Sequence, residues 1–169
     1  MILIQELSGD GLQTITFSSI GGTYKSLYCL LNGASLAGSV TFDTAVVRIN
    51  GASGASDYAW QYLRGQAATA SAAEDVDLDY IHAGLIPAAD APAGSSGFIE
   101  VIIPNYATTT FHKSVRVKTG MRSGTGTGGM VIQETAGFYL ATTAVTSLSI
   151  IAAGGNFANG TKAALYGMP

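Results

Sequence analysis

A period of two runs through almost the whole chain, and glycine-rich turns interrupt it at intervals of roughly 10–15 residues. Thr14-Ile15-Thr16-Phe17 alternates polar and apolar side chains, and Ser147-Leu148-Ser149-Ile150 does the same. Successive side chains of a strand point to opposite faces, so alternation marks a strand with one wet face and one buried face. Val40-Thr41-Phe42 and Ala45-Val46-Val47-Arg48-Ile49 read as one strand with a break near Asp43. Phe98 to Ile103 is another, stopped by Pro104, which has no amide proton to give a ladder. Lys113-Ser114-Val115-Arg116-Val117-Lys118 alternates cleanly, and Met130-Val131-Ile132 and Phe138-Tyr139-Leu140 add further short strands. Between them lie Gly9-Asp10-Gly11, Gly21-Gly22, Asn32-Gly33, Asn50-Gly51, the glycine run from Gly124 to Gly129, Gly154-Gly155 and Asn159-Gly160. Asn-Gly suits a tight hairpin, because both residues tolerate positive φ. Roughly ten short strands with this spacing predict an all-β antiparallel sandwich or barrel.

Two segments depart from the pattern. Gln66 to Asp75 is rich in alanine and reads as a short helix or as a small-residue loop over the end of the sandwich. Its helical reading lacks an apolar face. Pro87 to Gly97 holds Pro87, Pro92, Gly94 and Gly97 and reads as a loop. The last apolar run, Leu165-Tyr166-Gly167, follows the Asn159-Gly160 turn and predicts a paired core strand. No linker or repeat divides the 169 residues, so residues 1–169 are expected to form a single domain.

The surface implied by this composition is small and nearly neutral. Only 11% of residues are charged, against roughly 25% in an ordinary soluble protein. Such a surface suits contact with other protein surfaces, and a homo-oligomer or assembly component is expected. Net charge is −3, and the eight Lys and Arg residues are spread along the chain, which argues against a nucleic-acid partner. A single cysteine, Cys29, leaves no intrachain disulfide and no cysteine-based zinc site. It lies in the apolar run Leu27 to Leu31 and is expected to be a buried, inert thiol. Met1-Ile2-Leu3-Ile4 has no basic segment before it and soon meets Glu6, which argues against a secretory leader. No window approaches the roughly 18 apolar residues of a membrane span, and no membrane partner is expected.

Chemistry-bearing patterns are sparse. His82 and His112 belong to no nucleophile or metal motif. The Gly124–Gly129 run lacks the Gly-Lys-Ser/Thr of a phosphate loop and reads as a turn. A non-enzymatic protein without cofactor or metal is expected. Glu74-Asp75-Val76-Asp77-Leu78-Asp79 is the densest charge, with Asp75, Asp77 and Asp79 on one side if the run is extended. Calcium and a solvated strand edge are both open readings of it. In the basic run, His112, Ser114, Arg116 and Lys118 share one face of a strand, opposite Val115 and Val117. That basic face is a natural counterpart for the acidic run, within a subunit or across an interface. Tyr58, Trp60 and Tyr62 also alternate, so their rings share a face. They read as core, as a subunit interface, or as a platform on which a glycan stacks.

Several stretches together resemble a family of bacteriophage virion accessory proteins. They are Ile15 to Ile20 with Thr23 to Leu27, Tyr58-x-x-x-Tyr62-Leu63-x-Gly65, Ile86-Pro87-Ala88, Ile103-x-Asn105-Tyr106-Ala107, His112 to Val115, and Gly155 to Thr161 with Leu165-Tyr166-Gly167. The resemblance covers nearly the whole chain and is most specific at the C-terminal motif. It implies a jelly-roll-type β-sandwich and no catalytic residues. It further implies a protein made in the host cytoplasm and placed on the outer surface of the particle. Capsid decoration, cement or head-fibre proteins are implied first, and a tail-fibre or tail-tip module that binds a host glycan second. Other virion proteins are the implied partners, and a homotrimer the implied assembly. The chain shows no heptad shaft and no collagen-like stretch, so a small many-copy decoration or cement protein, or a small tail or baseplate component that borrows its anchor from another chain, is expected rather than a full-length fibre.

Overall fold

The computed structural model describes residues 1–124 and 129–169. The turn expected over Gly124–Gly129 therefore lies largely outside the described residues. The described residues form twelve strands: β1 (Ile2–Ser8), β2 (Thr14–Phe17), β3 (Ser26–Gly33), β4 (Phe42–Ile49), β5 (Tyr58–Gln66), β6 (Thr69–Leu78), β7 (Ile81–Pro87), β8 (Gly97–Pro104), β9 (Lys113–Arg122), β10 (Met130–Tyr139), β11 (Leu148–Ala152) and β12 (Lys162–Met168). They form an eight-stranded sheet, β1-β12-β3-β8-β9-β10-β5-β6, and a four-stranded sheet, β2-β11-β4-β7, with every pairing antiparallel.

The winding explains the strand order. With β5, β6, β9 and β10 set aside, the sheets reduce to β1-β12-β3-β8 and β2-β11-β4-β7. Going out, the chain alternates between sheets from β1 to β4. Coming back, it pairs β7 with β4, β8 with β3, β11 with β2 and β12 with β1. A chain that returns beside itself while crossing between two sheets is a jelly roll. The hairpins β5-β6 and β9-β10 are insertions that lengthen the larger sheet past β8.

The main core fills the space between the sheets, and Leu85, Met121 and Val131 form a smaller cluster. Leu27, Cys29 and Leu31 of β3, with Ile99, Val101 and Ile103 of β8, face Ala45, Val47 and Ile49 of β4 and Leu148 and Ile150 of β11. All are buried, and each large aliphatic stabilises the fold by about 1.5–3 kcal/mol. Burial pushes the Cys29 thiol up to about 12, so it stays protonated and inert. Leu165 of β12 is fully buried between β1 and β3, whereas Tyr166 points outward and is half-buried.

Two segments differ from the sequence expectation. The alanine-rich stretch is neither helix nor loop but the edge strand β6, paired along β5. Asp43 does not break β4; it is buried and accepts hydrogen bonds from the Ser35 hydroxyl at 2.6 Å and the Gly154 amide at 2.8 Å. The irregularity lies opposite, where Ala45 pairs with Gly84 and Val46 with His82, leaving Ala83 as an extra residue on β7. Gly84 adopts φ +112°, and the Thr119 side chain occupies the place a Cβ would take, so glycine is required there.

Candidate functional site

The alternation of Tyr58, Trp60 and Tyr62 does place three rings on one face of β5, and that face turns inward. Tyr58 is fully buried; its hydroxyl accepts from the Ile49 amide at 2.8 Å and donates to the Ile49 carbonyl at 3.1 Å. Desolvation holds its pKa well above the usual phenol value. Trp60 is 9% exposed and stacks on Tyr62, with centroids 5.5 Å apart and planes 12° apart. The rings therefore form no exposed glycan platform: two of them are core, and only Tyr62 is half-exposed.

Polar side chains close the Tyr62 end. His82 packs on both Trp60 and Tyr62, with centroids at 5.3 and 5.1 Å. The Arg64 guanidinium lies 4.5 Å over the Tyr62 ring and donates to Gln133 Oε1 at 2.8 Å. Gln133 Nε2 reaches His82 Nδ1 at 3.1 Å, and the Gly84 amide donates to the same nitrogen at 3.0 Å. Burial, reinforced by the Arg64 charge, lowers the His82 pKa to about 4. His82 is thus a neutral acceptor tied into the fold.

The charged runs do not meet within the protomer. Asp79 pairs with Arg48 and Arg116 with Glu134. In β6 an extra residue interrupts the register between the Tyr58 and Trp60 positions, and Asp77 takes φ 60°. Asp75, Asp77 and Asp79 therefore do not line up on one side. Among the described residues no three His, Cys, Asp or Glu side chains converge as a metal-ligand set. The basic strand β9 matches its alternation: Val115 and Val117 are buried, while Ser114, Arg116 and Lys118 are exposed on the outer face. Lys113 departs from the rest of that run. It is 1% exposed, and its Nζ donates to the carbonyls of Phe111 at 2.7 Å and Thr142 at 3.0 Å.

Two surfaces that the sequence does not single out stand out in the fold. The first is the outer face of the eight-stranded sheet. Leu63, Met130, Ile132 and Phe138 are exposed there by 68%, 63%, 56% and 46%. Two depressions of about 360 and 380 Å³ lie on it, one lined by Leu63 and Ile132, the other by Ile102 and Phe138. The Arg116–Glu134 pair separates them, and Glu100 sits directly across from Lys118. The second surface is a groove of about 530 Å³ on the outer face of the four-stranded sheet, bounded by the Asp79-Tyr80 connection.

No protein-family model matches the chain, and no curated protein matches it in sequence. Likenesses among solved structures are weak. A GH43 glycoside hydrolase engineered for endo-xylanase and exo-arabinofuranosidase activity aligns with a TM-score of 0.39 and 11% identity, over 99% of this chain and 34% of that one. The CspB protease of Clostridium perfringens gives 0.15 and 10%, over 94% and 25%. The VP2 subviral particle of infectious bursal disease virus gives 0.14 and 10%, over 95% and 39%. This chain spans about a third of the first and less than half of the others.

Proposed function

We propose that this protein is a non-enzymatic structural component of a bacteriophage virion, a capsid decoration, cement or head-fibre protein that assembles as a trimer on the outside of the particle. The observation that carries the reading is the uncovered outer face of the eight-stranded sheet. A lone soluble domain rarely leaves several large aliphatic side chains exposed on one continuous sheet. Here Leu63, Met130 and Ile132 are each more than half exposed on adjoining strands. Their two shallow depressions can receive side chains of a neighbouring subunit or capsid protein. The ions between them balance in sign, so they set register at little cost in repulsion. The jelly-roll winding and the sequence resemblance to phage accessory proteins point the same way.

A tail-tip receptor module resting on Tyr58, Trp60 and Tyr62 is not the reading adopted, because the first two rings are unavailable to a ligand. The test is a reconstruction of the intact particle. Density for this chain is expected on the head exterior, with the outer face of the larger sheet against a neighbour. Density confined to the tail, or that sheet facing solvent in every copy, would overturn the proposal.

A further inference from the structure

The groove on the smaller sheet is built from four separated pieces of chain and lies on the sheet opposite the proposed assembly face. Its floor is apolar: Val46 of β4 and Ile151 of β11 project outward there. Its rim is polar, with Thr14 on β2 and Thr44 on β4 supplying hydroxyls and Gln13 an amide. Its wall is Tyr80, beside an ion pair whose parts are fixed to one another. Arg48 contacts the Asp79 carboxylate through Nη2 and donates from Nε to the Asp79 carbonyl at 2.9 Å. The guanidinium is therefore held in one orientation before any ligand arrives, which removes part of the entropy cost of binding.

The chemistry of these walls restricts the ligand. The one cation and one anion cancel, so the groove has no net charge with which to select an ionic ligand. A purely apolar ligand would strip water from the hydroxyls and the ion pair and return nothing. A ring with apolar C–H faces and a belt of hydroxyls satisfies both parts. Its face lies on Val46, Ile151 and the Tyr80 ring, and its hydroxyls meet the fixed guanidinium, the free carboxylate oxygen and the threonines. The volume falls within the roughly 300–1,000 Å³ of ordinary small-molecule sites.

We infer that this groove binds a neutral saccharide, seated on Val46 and Ile151 between Tyr80, the Arg48–Asp79 pair and the threonine rim. The inference does not rest on the virion assignment, and the two can fail separately.

The experiment follows backbone amides of the full chain by NMR while maltohexaose, cellohexaose or hexa-N-acetylchitohexaose is added, with a heparin hexasaccharide as the anionic comparison. At least one neutral probe is expected to shift the amides of Thr14, Thr44, Val46 and Ile151. Tyr80→Ala should weaken that binding roughly tenfold or more. Thr14→Trp, at an exposed position where the indole fills the groove, should abolish it without lowering the melting temperature. This second variant decides the matter should Tyr80→Ala fold poorly. The inference is overturned if no neutral probe moves these amides, if both variants bind as the parent does, if the shifts map to Tyr62 and Arg64 instead, or if the heparin probe binds more tightly than every neutral one.

Discussion

His82, which belongs to no chemical motif in the sequence, is a structural residue in the fold. Its ring packs against Trp60 and Tyr62, and its Nδ1 is engaged by the Gly84 amide and faces the Gln133 amide. Burial disfavours a charge on this ring, and protonation would also place that charge beside Arg64. The folded pKa, about 4, therefore lies below the ordinary 6.5. Between these values the unfolded chain binds more protons than the folded one, so stability rises with pH there. The contribution is complete above about 6.5 and is lost as pH falls toward 4. Its full size is about 3 kcal/mol. His82→Gln should abolish this share of the fall in melting temperature between pH 7 and pH 4.5. An NMR titration placing the His82 midpoint near 6.5 would contradict the account. The same packing explains Trp60: period-two spacing set the three rings on one face, but spacing alone says nothing about whether that face looks inward.

Among the elements, legibility followed contrast between the two faces of a strand. β9 and β10 alternate buried and exposed residues along their length, and β9 from Lys113 to Lys118 and the two ends of β10 are readable from sequence. β7 is buried on both faces from Ala83 to Pro87, so its residues Ala-Gly-Leu-Ile-Pro offer no alternation to read. β6 fails for the opposite reason. It is a sheet edge, exposed on both faces for most of its length, and Ala, Ser and Thr suffice there. The saccharide groove was invisible for another reason again. It gathers residues 13–14, 44–48, 79–80 and 151–153, which only the jelly-roll winding brings together. The C-terminal strand was readable in its essential feature, an apolar run after a turn, and its place between β1 and β3 raises the stakes. Removing residues 161–169 uncovers the hydrogen-bonding edge of β3, strips β1 of its partner strand and withdraws Leu165 from the core. The truncated protein should be insoluble or show no cooperative thermal transition. A soluble truncation that melts sharply at the parent temperature would contradict the topology argument.

At the scale of the whole molecule, the two sheets divide the work. The smaller sheet presents a polar-rimmed groove, and the larger presents aliphatic side chains around a balanced set of ions. A subunit attached through the larger sheet would leave the groove facing outward. The Arg116–Glu134 pair is more than half exposed, so by itself it contributes at most about 1 kcal/mol, and affinity must come from the aliphatics. Leu63 and Ile132 are the sharpest test, since they line one depression and are largely solvated in the isolated protomer. Replacing both with Asp removes two apolar anchors and adds charges that would have to be desolvated in an interface. Light scattering across concentration should find the parent as a trimer. The double variant should dissociate at concentrations roughly a hundredfold higher or more, with its melting temperature little changed at dilutions where the parent is also monomeric. A parent that stays monomeric in solution and sits as isolated monomers on the particle would remove the trimer. A double variant that assembles as the parent does would show that this face is not the interface, whatever the assembly.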